Sequence, residues 1–225
     1  MTADNVLRVI DTETCDLQGG IVEIASVDVV NGQIVNPMSH LVRPDRPISA
    51  QAMAIHRITE AMVATQPWIE EIIPHYYGSA WYVAHNASFD RRVLPEMPGE
   101  WICTMKLARR LWPGIKYSNM ALYKSRKLNV QTPAGLHHHR ALYDCYITAA
   151  LLIDIMNTSG WTPDQMATVT GRPALLTTFT FGKYRGKAVS EVAERDPGYL
   201  RWLFNNLDRM SPELRLTLKH YLGDN

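Results

Sequence analysis

Four acidic residues and a run of histidines carry the chemistry this sequence can offer. Asp11 and Glu13 stand two apart in "VLRVIDTE". Asp90 ends "HNASFD", and Asp144 ends "HHHRALYD", where His137, His138 and His139 are consecutive. In a strand, residues i and i+2 share a face, so Asp11 and Glu13 would lie side by side at the end of a segment of buried-strand composition. Two such acids repel each other, and something cationic should compensate them. Asp90 can open a helix near its positive end, with Asn86 or Ser88 as the cap. Asp144 can pair with Arg140 at i, i+4. Three consecutive histidines cannot all aim at one ion. His139 precedes Asp144 by five residues, about 140° of helical rotation, so the two cannot share a helical face. His139 is therefore expected on the loop before the helix, with His137 and His138 toward solvent. Carboxylates of this type and context can hold two hard divalent cations.

The elements that must position these groups follow from periodicity. Residues 6–12 read as a first strand and 21–30 as a half-buried alternating strand. Asn31-Gly32 is a hairpin signal, and the returning strand "QIVNPMSHLVRP" holds Pro37 at an edge or bulge. Short helical patterns follow, with Ser49 and Thr59 as caps. "WYVAH" (81–85) reads as a strand, a helix starts near Ala87, and "WICTM" (101–105) reads as a fifth strand. The last helix of this region, about 139–156, carries Ala141, Cys145, Leu152 and Ile155 with Thr148 between them. A meander followed by α/β alternation predicts a mixed five-stranded sheet flanked by helices.

Composition bounds the rest. The 225 residues are 46% hydrophobic and 20% charged, which suits one ordinary domain and a smaller appendage. Cys15, Cys103 and Cys145 are widely spaced and form no CxxC pair, so we read them as reduced thiols. The start of the chain lacks a signal-peptide pattern, and no apolar run reaches roughly 18 residues, so a cytoplasmic protein is expected. Residues 101–127 contain seven Lys or Arg and no acid, interleaved with Trp112, Tyr117 and Tyr123. Such a stretch either tracks a phosphate backbone or forms a solvated face. Residues 158–176 read as a linker between an N-terminal domain (1–157) and a small α+β module (177–225), in which "FGKYRGK" would form a basic hairpin able to grip nucleic acid.

Taken in order, "DTET" from Asp11, "HNASFD" ending at Asp90, and "HRALYD" from His139 to Asp144 resemble the three motifs of the DEDDh (DnaQ-like) 3′–5′ exonuclease superfamily, over about residues 6–157. The tail resembles a module appended to some such nucleases. The resemblance implies a ribonuclease H-like fold and hydrolysis of the 3′-terminal phosphodiester of single- or double-stranded DNA. Asp11, Glu13, Asp90 and Asp144 would hold two Mg²⁺ or Mn²⁺, and His139 would act as general base. It places Thr12, Leu17, Gln18, His85, Asn86, Ser88 and Phe89 near the substrate, with Leu17 either wedged under the terminal base or buried in a turn. One departure is Asp16 where the family usually has glycine; its added charge is expected to weaken the grip on the terminal nucleotide. RNA trimming, a polymerase-tethered proofreading subunit and a non-catalytic nucleic-acid-binding domain are the alternatives. The intact carboxylate set argues against the last.

Overall fold

The computed structural model describes residues 6–223. Strands β1 (Leu7–Asp16), β2 (Gly19–Val30) and β3 (Gln33–Leu41) form the antiparallel meander. β4 (Trp81–Ala84) and β5 (Glu100–Cys103) then add in parallel, giving the order β3-β2-β1-β4-β5. The mixed five-stranded sheet is thus as expected, with β1 at its centre.

Two local readings change. β2 is buried from Ile21 to Val29 rather than half-exposed, because its acids face partners instead of water: Asp28 pairs with Arg8 at 2.8 Å and Glu23 with Arg140. The fifth strand ends at Cys103. Thr104, at the start of α5 (Thr104–Leu111), lies with its hydroxyl oxygen 3.3 Å from Ala84 O where the chain turns into the helix.

Helix α1 (Ala50–His56) starts as expected, with Ser49 Oγ accepting from Ala52 N. Thr59 stands at the cap of α2 (Glu60–Val63) but makes no side-chain bond there. α3 (Ile69–Ile72) passes into a 3-10 turn, Ile73–Tyr76, where Pro74 lacks the N–H a longer helix needs. α4 (Ser88–Val93) is capped by neither Asn86 nor Ser88. Ala87 occupies the cap, and Ser88 Oγ bonds Asn86 Oδ1 instead.

After α6 (Asn119–Ser125), the long helix α7 (Ala141–Ser159) lies over β1 and β2. Ala141, Cys145, Thr148, Leu152 and Ile155 are all buried, the stripe read from the sequence, and Asp144 is buried beside them. The core on the other side of the sheet includes Ile10, Ile24, Tyr76, Tyr82 and Trp101. All three cysteines are buried free thiols.

The chain divides into two compact units, residues 6–111 with 116–170, and 112–115 with 171–223. α8 (Pro163–Gly171) falls within the stretch read as a linker, and Thr170 Oγ1 at its end accepts from Cys103 N at 2.9 Å. The second unit is mainly helical: α9 (Val189–Arg195), α10 (Pro197–Asn206) and α11 (Pro212–Leu222), around Phe179, Leu200, Leu203 and Leu218. The hairpin expected over "FTFGKYRGK" contracts to one bridge, Thr178 to Ala188. Gly182 (φ 70°) and Gly186 (φ 82°) take left-handed conformations in the loop between, and Phe179 N donates to Lys187 O at 3.0 Å beside the bridge. Ser211 caps α11 through Leu214 N, as the sequence indicates. Among the described residues, no helix is long and apolar enough to cross a membrane.

Candidate active site

The strand and the long helix bring three of the four expected carboxylates together. Asp11, Glu13 and Asp144 each offer an oxygen, and these atoms lie within 4.8 Å of one another. Asp11 and Glu13 project from the same face of β1, and Asp144 reaches them from the first turn of α7. The β1–β2 register slips between Glu13 and Thr14, a bulge beside the acids. Asp90, buried in the first turn of α4, joins through Thr12, whose hydroxyl donates to Asp90 Oδ1 at 2.8 Å. Its charge is felt by both Asp11 and Glu13.

The compensating cation expected for this pair is largely committed elsewhere. Arg140 forms a two-pronged bond to Glu23, Nη2 to Oε1 at 2.6 Å and Nε to Oε2 at 3.0 Å. Glu23 also accepts from Ala141 N at 2.9 Å, which fixes the start of α7 against β2. Arg140 is therefore not the i, i+4 partner of Asp144. Glu23 was missed in the sequence. The available signal was an acid inside the buried run "IVEIAS", which demands a partner.

With little cationic relief, Asp11, Glu13 and Asp90 ionise only at higher pH than free carboxyls do. Burial and then the charges of Asp90, Asp144, Glu13 and Glu23 push Asp11 well up. Burial and then Asp144 raise Glu13 to about 8, and burial raises Asp90 to about 7 against the Thr12 hydrogen bond. Groups whose folded pKa lies above the unfolded value stabilise the fold below the unfolded pKa and lose that contribution as pH rises through the folded one. Without divalent ions, the melting temperature should therefore fall between pH 5 and pH 8. Added Mg²⁺ should raise it more at pH 8 than at pH 5. Thermal unfolding in EDTA and in Mg²⁺ at both values measures this, and a flat profile in EDTA contradicts it.

The histidines sit differently from the expectation. His138, not His139, turns inward: its Nδ1 lies 2.8 Å from Asp144 Oδ1. His139 is on the loop as expected, with its ring exposed and stacked on His138 at 3.8 Å. Its backbone N–H donates to Asp144 Oδ2 at 2.8 Å, and its φ of 69° is left-handed. A strained backbone at a non-glycine residue is the kind of feature a site holds in place. Asp144 thus accepts from both neighbours, which draws the second histidine in. His137 Nδ1 turns back toward the His138 carbonyl at 2.7 Å.

The residues placed near the substrate divide into a rim and a frame. Leu17 at the β1–β2 turn is 84% exposed, which excludes the buried-leucine reading. Asp16 Oδ1 accepts from Gln18 N at 2.7 Å and Gly19 N at 3.2 Å, so its charge closes this turn. Arg92 donates to Leu17 O at 2.8 Å and lies over Phe89, joining the turn to α4. Asn86 and Ser88 are exposed nearby in sequence, and Asn86 is left-handed (φ 70°). His85 belongs to the frame: Nε2 donates to Tyr117 O at 2.7 Å, Nδ1 accepts from Thr104 at 2.9 Å, and burial lowers it to about 4. Part of the basic stretch is likewise turned inward. Lys106 bonds Thr170 O, Arg109 lies over Tyr117, and Arg126 pairs with Asp154.

Against this geometry, the comparisons with known proteins agree. Residues 9–152 match the RNase_T exonuclease family, and residues 179–208 match the exodeoxyribonuclease X-like C-terminal family. The chain belongs to the RNase_T exonuclease family. It is 90% identical to exodeoxyribonuclease 10 of Escherichia coli strain K12 over 96% of this chain and 99% of that protein. It is 34% identical to the PolC-type DNA polymerase III of Thermotoga petrophila, over 64% of this chain and 11% of that one. A solved structure of exonuclease X with 5′ overhanging duplex DNA matches at 90% identity and a TM-score of 0.73, covering 73% of this chain and 99% of that one. Escherichia coli exonuclease I with a dA16 oligonucleotide shares the fold at 14% identity and a TM-score of 0.54. The ribonuclease H-like fold and the exonuclease activity stand on these matches.

Proposed function

We propose that the protein removes nucleotides from the 3′ ends of single- and double-stranded DNA in the cytoplasm, in DNA repair, by a two-metal mechanism. That it is a 3′–5′ exonuclease acting on DNA follows from its 90% identical relatives, one called an exodeoxyribonuclease and one solved with duplex DNA. The observation that carries the mechanism is the set of facing oxygens from half-buried Asp11 and Glu13 and buried Asp144, with little cationic compensation. An all-oxygen donor set of this charge fits a hard divalent cation. Asp11, Glu13, Asp90 and Asp144 would hold two Mg²⁺ or Mn²⁺, which when bound neutralise the cluster and stabilise the attacking and leaving oxygens.

The chain's own groups then have distinct tasks. Partial burial and then the neighbouring His138 lower the pKa of His139, which favours the neutral ring that can accept the proton of the attacking water. The water oxygen bonds to phosphorus, the bond to the 3′ oxygen of the preceding nucleotide breaks, and a nucleoside 5′-monophosphate leaves. Replacing His139 by Ala should lower turnover about 10²- to 10⁴-fold with little loss of DNA binding in EDTA. Wild-type turnover in that variant, measured in single-turnover assays, removes His139 from this role.

Leu17 is the wedge at the terminal base, with Gln18 beside it. Thr12 orients Asp90, and Phe89, Asn86 and Ser88 line the approach. His85, its ring nitrogens both engaged, meets the substrate only through its ring. Leu17→Ala should slow trimming of paired 3′ ends several-fold more than that of unpaired ends and leave the melting temperature unchanged, since an exposed side chain contributes little to the core. A lower melting temperature with equal loss on both ends points to packing instead.

The test of the function is a cleavage assay. Single-stranded DNA, duplex DNA and RNA, each labelled at the 5′ end, are incubated with Mg²⁺ or EDTA. A ladder that shortens from the 3′ end of DNA and vanishes with EDTA is the expected result. Preferential shortening of RNA favours the RNA-trimming alternative, and cleavage in EDTA removes the metal mechanism.

A further inference from the structure

The second unit carries a surface that the hydrolytic site does not use. In α10, Tyr199 and Trp202 lie one turn apart, with ring planes inclined by 16° and centroids 6.2 Å apart. Trp202 is 55% exposed. A large ring open to water over half its surface is unusual in a unit this small, whose other apolar side chains are largely gathered in its core. The row continues from Tyr199 to Tyr184 at 5.0 Å, and Lys183 lies over the Tyr184 ring at 4.8 Å.

The loop beside the aromatics is held firmly. Gly186 N donates to Phe179 O at 2.7 Å, Lys187 N to Tyr184 O at 2.9 Å, and Arg185 N to Gly182 O at 3.1 Å. Asp196 accepts from Tyr184 Oη at 2.8 Å and Lys183 Nζ at 3.0 Å. Gly182 must be glycine, since a Cβ there would come within 2.3 Å of Tyr199 Oη. The loop thus presents Lys183, Arg185 and Lys187 to solvent, and Arg201 is exposed next to Trp202 on α10. Flat rings bordered by exposed cations on a backbone-bonded loop match a polymer with exposed bases and a charged backbone. A purely apolar partner would leave those cations desolvated and unpaired.

We propose that Trp202, stacked on Tyr199, is a platform for an unpaired base of single-stranded DNA, with Arg185, Lys187 and Arg201 on the adjoining phosphates. This site is separate from the 3′-end chemistry and does not need a 3′ terminus.

The test uses the full-length chain in EDTA, so that nothing is cleaved, and a fluorescein-labelled circular oligothymidylate, which has no end for the hydrolytic site. A covalently closed duplex minicircle is the control. Trp202→Ala should weaken binding to the single-stranded circle roughly fivefold or more, the range for loss of one stacked base. Binding to the duplex circle should be nearly unchanged, and Trp202→Phe should retain most of the affinity. Arg185→Ala with Lys187→Ala should flatten the salt dependence on the single-stranded circle. Equal losses on both circles, or none, overturn the stacking role. A self-associating wild type that Trp202→Ala renders monomeric in sedimentation would assign the surface to a second copy of the chain. A failure of the 3′-trimming reading leaves these results unaffected, because no arm depends on cleavage.

Discussion

Asp11→Asn should abolish cleavage while making the metal-free protein more stable. Asp11 is half-buried among Glu13, Asp90, Asp144 and Glu23, each of which raises its pKa. As pH rises toward 8, Asp90 and then Glu13 ionise beside it, and the cluster becomes a site of repulsion within the fold. The amide keeps the shape of the side chain and removes a group whose ionisation the surrounding acids oppose. In EDTA at pH 8 the variant should gain on the order of 1 kcal/mol, about 2–4 °C for a chain of this size, and the gain should shrink at pH 5. With Mg²⁺ the ordering reverses, because the native protein is stabilised by the ion and the variant much less. Turnover should fall on the order of 10³-fold or more, since metal-assisted charge stabilisation accounts for several kcal/mol of a hydrolytic barrier. Calorimetry in EDTA and in Mg²⁺, beside the cleavage assay, separates the two effects. A variant less stable than the native chain in EDTA at pH 8 would mean that the protein itself compensates the acids.

Arg140→Ala should cost about 3–5 kcal/mol, because it leaves the Glu23 side chain, 2% exposed, without its guanidinium partner. For this chain that lowers the melting temperature by about 10 °C. The effect reaches the chemistry through position. Glu23 also holds Ala141 N, and the two residues before Arg140 carry the bonds to Asp144. A shift of about 1 Å at the start of α7 is enough for roughly 10²-fold in rate. Pairing Arg140→Leu with Glu23→Leu should recover most of the stability, since an apolar pair can replace a buried ion pair. If the single and double variants melt together, the bond between β2 and α7 is not what anchors the helix.

How these residues could be read from the chain depends on the distance over which each signal acts. Asp11 and Glu13 announced themselves because a strand puts i and i+2 on one face. The stripe from Ala141 to Ile155 did so because a helix has a fixed period. These are properties of single elements, as were the five strands and the caps at Ser49 and Ser211. Three motifs in order then pointed to the exonuclease fold and to its carboxylates.

What the sequence left open is decided between elements. Glu23 and Arg140 are 117 positions apart, and only the landing of α7 on β2 makes them partners. The same landing turns His138 toward Asp144, where solvent was expected, while His139 stays on the loop as expected, because two neighbouring donors converge on one carboxylate. Leu17 could be wedge or core until Arg92 and Asp16 were seen to hold its turn out in water. His85 looked available until Thr104 and Tyr117 closed on both its nitrogens. Periodicity states which side chains share a face of one element, whereas the partners of a charge or a ring depend on how distant elements pack.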